Sequence, residues 1–218
     1  TYTEHIIYLS HCQIINNYVS NQTECALSEQ HGLFLHLPKQ TKSGNKNKAN
    51  LRIKFSNSHI IGNLGTIKIT VLYNTITLIG SIFKRNRIVI GIGSGKESLF
   101  YVKHTGFIKI RRCIFFHHLA NGSFGMPNFE KSDSYKVNFT IDKTDFYNNK
   151  VKAIELRFRD QTIGGCIYIM AGVKFDHNDI VLTMTNSRVY NSIRDTGGAL
   201  YIHGSVKVVI VHSVFLYN

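Results

Sequence analysis

Asp142 and Asp145 stand three residues apart, and Arg157 and Arg159 follow them along the chain. Glycoside hydrolysis needs a carboxyl pair held roughly 5–9 Å apart, and a guanidinium fork suits the carboxylate of an acidic sugar. With Asp176 and Asp179 as further acids able to hold a calcium ion, these residues frame one reading. It is a polysaccharide lyase or glycoside hydrolase acting on an acidic polysaccharide. The plainer reading leaves the acids as solubilising surface charges and assigns no catalytic residue.

The cations suggest a second chemistry. The 218 residues carry 26 Lys and Arg against 13 Asp and Glu, a net charge of +13. The excess is uneven, because Gln30 to Lys96 holds eleven Lys and Arg and no acid. Such a run sets up a positive field that attracts polyanions. Lys39, Lys42, Lys46 and Lys48, in a segment that reads as a loop, are candidate anion-binding residues, together with Lys84, Arg85 and Arg87. The alternative is that solvated loop lysines account for the charge. Nucleic acid is the less favoured polyanion, since neither an aromatic-plus-basic platform nor a known binding motif is identifiable. Gly91-Ile-Gly-Ser-Gly-Lys96 fails as a phosphate loop: Ile90 stands where the first glycine belongs, and Glu97 follows the lysine.

The remaining reactive side chains have structural readings. No Cys/His spacing matches a zinc site, so no metal is expected, and no cofactor is implied. Cys12, Cys113 and Cys166 read as buried small residues, whereas Cys25 stands apart and is a candidate bridge to Cys12 across a short loop. Three sequons, at Asn21, Asn121 and Asn138, are candidate glycosylation sites if the protein is secreted. The fifteen uncharged residues from Ile69 to Phe83 include Thr70, Asn74, Thr75, Thr77 and Ser81. They fall short of the ~20 apolar residues of a membrane span.

What must position these groups is a repeat. Six ten-residue windows align without gaps, starting at Tyr8, Lys54, Lys109, Thr140, Thr183 and Val209. Their second position is large and apolar (Leu9, Phe55, Ile110, Ile141, Met184, Ile210) and their seventh apolar (Ile14, Ile60, Phe115, Phe146, Val189, Phe215). The fifth is always small: Cys12, Ser58, Cys113, Thr144, Ser187 and Ser213. The tenth is Asn at Asn17, Asn63, Asn149 and Asn218. The alternation of Leu51-Arg-Ile-Lys-Phe55 and Lys207-Val-Val-Ile-Val-His212 marks strands. The small residues lie 46, 55, 31, 43 and 26 residues apart. Unequal spacing implies loops of different length or an extra unit, and Gly65 to Phe83 and Arg87 to Ile110 are strand-like enough to supply one. Gly164-Gly-Cys-Ile-Tyr-Ile169 and Gly197-Gly-Ala-Leu-Tyr-Ile202 also match position for position. Paired glycines there predict a tight corner and close backbone approach.

Such a strand–turn–strand unit cannot bury its apolar face alone. Stacking copies in parallel at about 4.8 Å places like over like, and buried Asn at each turn can satisfy the backbone of its neighbours. The expected fold is all-β: a right-handed parallel β-helix, or β-solenoid, with irregular coil lengths and protruding loops. Residues 1–218 read as a single β-helix domain with loop insertions at about 38–50 and 120–134. An antiparallel sandwich is the competing fold, and it would not require a small fifth position in every copy.

The pairing of Gly197-Gly-Ala-Leu200 with Phe146-Tyr-Asn-Asn149 and Phe215-Leu-Tyr-Asn218 resembles the repeats of chlamydial polymorphic outer-membrane proteins. It is similar more broadly to right-handed parallel β-helix, or pectin-lyase-like, proteins. The N-terminal half departs from the bacterial pattern, with Ile in place of Phe and no Gly-Gly corner. Pectin-degrading hydrolases of this resemblance would be expected to carry adjacent Asp-Asp and a Gly-His-Gly, neither of which occurs. The leading expectation is therefore a non-catalytic extracellular or cell-surface scaffold for adhesion or recognition. Its expected partner is an extended polysaccharide or protein, with anionic glycans the favoured class. The chain opens and closes within patterned segments, so flanking coils of the same chain are expected beside it.

Overall fold

The computed structural model describes residues 3–15, 33–37, 49–63, 66–69, 74–85, 100–102, 105–117, 124–126, 137–149, 167–170, 180–192, 198–203 and 205–218. These form twenty strands and no helix. No helix among them is therefore long and apolar enough to cross a membrane.

The strands fall into three sheets. The first holds β1 (Thr3–Ser10), β4 (Ala49–Ser56), β7 (Asn74–Ile79), β10 (Thr105–Arg111), β13 (Val137–Asp142), β16 (Ile180–Thr185) and β19 (Lys207–Val211). The second holds β2 (Gln13–Ile15), β5 (His59–Ile61), β8 (Ile82–Lys84), β11 (Ile114–Phe116), β14 (Asp145–Tyr147), β17 (Arg188–Tyr190) and β20 (Val214–Leu216). The third holds β3 (Leu33–Leu37), β6 (Thr66–Ile69), β9 (Phe100–Val102), β12 (Phe124–Met126), β15 (Ile167–Met170) and β18 (Leu200–His203). Within each sheet the strands follow in chain order, every strand pairing in parallel with the one three before it and the one three after.

Parallel sheets are usually covered on both faces and read as continuous apolar runs. Here the inner faces of the sheets share one core and the outer faces do not, so alternation survives. In β13, Val137, Phe139 and Ile141 are buried while Asn138 is exposed and Thr140 and Asp142 are half-buried. The register sets Phe139 against Ile108 on one side and Leu182 on the other. The seventh column stacks Phe83, Phe115 and Phe146 face to face, with ring centroids 4.7 and 4.9 Å apart. That spacing is the strand separation itself, so the backbone ladder dictates the ring stack. The last pair, β19 and β20, lies at the sheet edge, which leaves Ile210 40% and Phe215 36% exposed.

The ten-residue window is one physical unit: the end of a first-sheet strand, a two-residue corner, a three-residue second-sheet strand and a second two-residue corner. A seventh copy begins at Thr77, with Leu78, Ser81 and Phe83 in the second, fifth and seventh columns. It begins in the strand-like stretch Gly65 to Phe83 and divides the 55-residue interval between Ser58 and Cys113.

Every positive-φ residue among those described falls in two columns. The fourth holds His11, Asn57, Gly80, Arg112, Lys143, Asn186 and His212; the ninth holds Gly62, Arg85, His117, Asn148, Asn191 and Tyr217. The left-handed turn costs a non-glycine residue roughly 1–2 kcal/mol. At these corners it aims the N–H at the next repeat: Lys143 donates to the carbonyl of Thr185 (3.1 Å) and Asn148 to that of Tyr190 (3.2 Å). The sequence alone makes the fourth column look merely tolerant of polar residues. It is a conformational position, and Gly80 belongs to it.

In the third sheet, Ile167, Tyr168 and Ile169 pair with Leu200, Tyr201 and Ile202, the register that the two glycine motifs imply. Close approach, rather than left-handed backbone, requires Gly198: a Cβ there would lie 2.7 Å from the Ser192 carbonyl oxygen and 3.0 Å from the carbonyl carbon of Asn218. Most of the two expected insertions lies outside the described residues. The insertion read over 38–50 gives way to β4 at Ala49, and Phe124–Met126, inside 120–134, is β12. A three-residue strand centred on Gly125 offers too little alternation to be seen in sequence.

Candidate functional site

The two corners are lined with side chains that bond the backbone of adjacent repeats. In the fifth column, each hydroxyl or thiol donates to the carbonyl two residues earlier: Ser58 to Ser56 (2.9 Å), Thr144 to Asp142 (3.0 Å), Ser187 to Thr185 (2.8 Å) and Ser213 to Val211 (3.1 Å). The thiols of Cys12 and Cys113 donate likewise to Ser10 and Arg111. The same oxygens accept from the preceding repeat. Cys12 N–H donates to Ser58 Oγ, Ser58 N–H to Ser81 Oγ, Cys113 N–H to Thr144 Oγ1, Thr144 N–H to Ser187 Oγ and Ser187 N–H to Ser213 Oγ. The column is therefore a hydrogen-bond ladder. Smallness is necessary but does not suffice, which is why neither Ala nor Gly occupies it. In the tenth column, the side-chain amides of Asn63, Asn149 and Asn218 donate to the carbonyls of Ile14, Phe115 and Val189 in the preceding repeat. These groups are occupied in holding the fold.

Cys113 is buried, and that burial pushes its thiol up to about 11, which leaves it without nucleophilic character near neutral pH. Cys12 is a free thiol. Its suggested partner Cys25 and the small Cys166 lie outside the described residues.

Asp142 and Asp145 flank the corner of the fifth repeat, at the end of β13 and the start of β14. Each is engaged. Asp142 accepts from Arg111 Nε (3.2 Å), Thr185 Oγ1 (3.0 Å) and Asn186 Nδ2 (3.4 Å). Asp145 takes a two-pronged bond from Arg188, at 2.9 and 2.5 Å. Desolvation raises the Asp142 carboxyl, but the bonds from Thr185 and Asn186 and the charges of Arg111 and Lys143 outweigh it, and the group titrates below its ordinary value. A general acid for glycoside cleavage needs the opposite shift. Arg157, Arg159, Asp176 and Asp179 lie outside the described residues. Among the described residues, the partners of these two acids bind adjacent repeats together.

Of the anion-binding candidates, Lys39, Lys42, Lys46, Lys48 and Arg87 lie outside the described residues. Lys84 ends β8 and places its Nζ 4.9 Å from the Phe116 ring centroid, capping a column of stacked rings, Phe116, Tyr147 and Tyr190. Arg85 is an exposed left-handed corner residue beside it.

A second basic surface escapes the sequence reading. Arg52 and Lys54 alternate with buried Ile53 and face outward from β4. Arg52-Ile53-Lys54 is an Arg-Ile-Lys tripeptide of the sequence. It stands three strands from Asp142, about 14 Å at the usual strand spacing. The register runs Lys54, Thr77, Lys109 across β4, β7 and β10. Arg112 and Lys143 occupy the adjacent corner in successive repeats. Residues up to 89 positions apart in sequence thus share one face, and only the pairing register reveals it.

Of the sequons, Asn138 is exposed on β13, with Thr140 on the same face; Asn21 and Asn121 lie outside the described residues. Comparison of the chain with protein-family models, with curated proteins and with solved structures found no match.

Proposed function

We propose that the chain winds as a right-handed parallel β-helix and serves as a non-catalytic scaffold of an extracellular or cell-surface protein, recognising an extended anionic glycan. The observation that carries this reading is the in-order, in-register stacking of parallel strands in three sheets around one core. Parallel crossovers are right-handed in about 98% of cases, and a stack of this kind offers long flat flanks on which side chains recur at strand spacing. The resemblance of Gly197-Gly-Ala-Leu200 and Phe215-Leu-Tyr-Asn218 to outer-membrane protein repeats supports a surface location. The acid-free run from Gln30 to Lys96 supports an anionic partner. The engaged state of Asp142 and Asp145 favours a scaffold over an enzyme.

The test is a panel of immobilised heparin, polygalacturonate and a neutral glucan, with product release followed in parallel. The reading expects salt-sensitive retention on the charged polymers, none on the glucan, and no new reducing ends or unsaturated products. Equal retention on all three, or steady product release, contradicts it.

A further inference from the structure

We infer that the outer face of the first sheet, from β4 to β13 and the corner that borders it, is a docking surface for a sulfated or carboxylated glycan chain laid across the strands. The inference rests on the glycan-binding scaffold proposed above and moves its contact surface from the lysines that the sequence alone reads as a loop to a sheet face.

Four cations define the face. Lys54 and Lys109 point outward on either side of Thr77 in the same register row. Two strand spacings put their Cα atoms about 9.6 Å apart. Arg112 and Lys143 are exposed at the corner in consecutive repeats, one spacing apart. Arg111 stands two residues beyond Lys109 on β10, but its charge is met by Asp142 at 3.2 Å. Asp142 and Asp145 are the described acids of this region, and each is held by an arginine. The Lys54 ammonium also lies 4.8 Å from the Tyr8 ring centroid, a neutral partner, so the balance of charge on this face remains positive.

The chemistry of the row favours a glycan. Between and beyond the lysines, Thr77, Thr140 and Thr183 continue the same register row and present hydroxyls at strand spacing. Hydroxyls alternating with ammonium groups suit a polymer that itself alternates hydroxyl and sulfate or carboxylate groups. A flat face does not follow the curvature of a duplex. The outward aromatic rings of the second sheet stack on one another at about 5 Å and so withhold their faces from nucleobases.

The repeat itself supplies substitutions that preserve the fold. The first column already accepts Thr at Thr77, Thr140 and Thr183, and the fourth accepts Asn at Asn57 and Asn186 in the same left-handed conformation. The test variant is therefore Lys54→Thr, Lys109→Thr, Arg112→Asn and Lys143→Asn combined, compared with a loop variant carrying Gln at Lys39, Lys42, Lys46 and Lys48. Affinity for size-defined heparin oligosaccharides is measured across salt concentrations, with circular dichroism melts as the folding control. Four outward-facing charge contacts predict a roughly tenfold to hundredfold loss of affinity at low salt and a shallower salt dependence for the face variant, with the loop variant close to wild type. A face variant that binds like wild type, while the loop variant loses binding, overturns the assignment of this face and leaves the glycan reading standing. A wild-type chain that binds no heparin at low salt overturns both. Single-stranded DNA of equal charge binding more tightly than heparin overturns the choice of occupant.

Discussion

Replacing Ser187 by Ala separates two physical accounts of the fifth column. If the corner only requires a small side chain, Ala fits and stability hardly changes. The structure gives a different expectation. Ser187 is fully buried; its Oγ accepts from the Thr144 N–H at 3.1 Å and donates to the Thr185 carbonyl at 2.8 Å. The carbonyl keeps a second partner, the N–H of Lys143 at 3.1 Å. The Thr144 N–H has no alternative acceptor in its column once the hydroxyl is gone. A buried donor left unsatisfied costs about 1–3 kcal/mol, so Ser187→Ala should destabilise by about 2 kcal/mol. For a chain of this length that corresponds to a fall in melting temperature of roughly 4–8 °C. Ser187→Cys should cost less than half as much, because Cys12 and Cys113 already serve the column. Ser213→Ala should cost under about 1 kcal/mol, since Ser213 is only half-buried and water can replace it. Urea titration followed by far-ultraviolet circular dichroism reads all three. Ala and Cys within about 0.5 kcal/mol of wild type at position 187 would refute the hydrogen-bond account.

Three further outcomes follow from the same geometry. Phe115→Ala removes a fully buried ring stacked between Phe83 and Phe146 and should cost about 3–5 kcal/mol, more than Phe115→Leu, in the same titration. The folded-state pKa of Asp142 is lowered, so its contribution to stability is complete above the ordinary carboxylate range and is lost as pH falls through the folded value. Melts from pH 6 down to about pH 2 should therefore show a shallower acid-side loss for Asp142→Asn than for wild type, and identical slopes would contradict the ion-pair geometry. The Cys113 thiol, at about 11, should resist alkylation at neutral pH in the native state and react on unfolding, as read by peptide mass spectrometry; native labelling at the rate of a free thiol would contradict its burial.

How legible the molecule was in its sequence depended on how far apart the informative residues lay. The second and seventh columns were visible because apolar and aromatic residues recur at fixed places in a short window, and those places are now Phe55, Ile60, Phe115 and Phe146 in the core. Asn63, Asn149 and Asn218 were visible for the same reason, and they bond the preceding repeat as expected. The seventh copy was hidden by Gly80, which looks like an exception to a polar column until the left-handed corner is known. A Cβ there would meet the end of the Asn57 side chain, which can turn aside. The third sheet was half hidden. Its β15 and β18 announced themselves by Gly-Gly, whereas β9 and β12, three residues each, carry no periodic signal of their own. The basic face was invisible because Lys54, Lys109 and Lys143 are brought together by interstrand register, which no local window records. The partners of the acids were hidden for the same reason: Asp142 and Asp145 are close in sequence, and the register brings each to an arginine in an adjacent repeat.

The central claim is the register of the parallel stack, and cysteine cross-linking tests it most directly. Thr140 and Thr183 are paired across β13 and β16 on the outer face, 43 residues apart in sequence. Parallel neighbours lie about 4.8 Å apart, within disulfide reach, whereas a one-residue slip turns the side chain to the opposite face. The variant with Cys at 140 and 183 should form that bridge under mild oxidation, mapped by peptide mass spectrometry, and the variant with Cys at 140 and 182 should not. Efficient bridging of 140 to 182, or none of 140 to 183, would contradict the account.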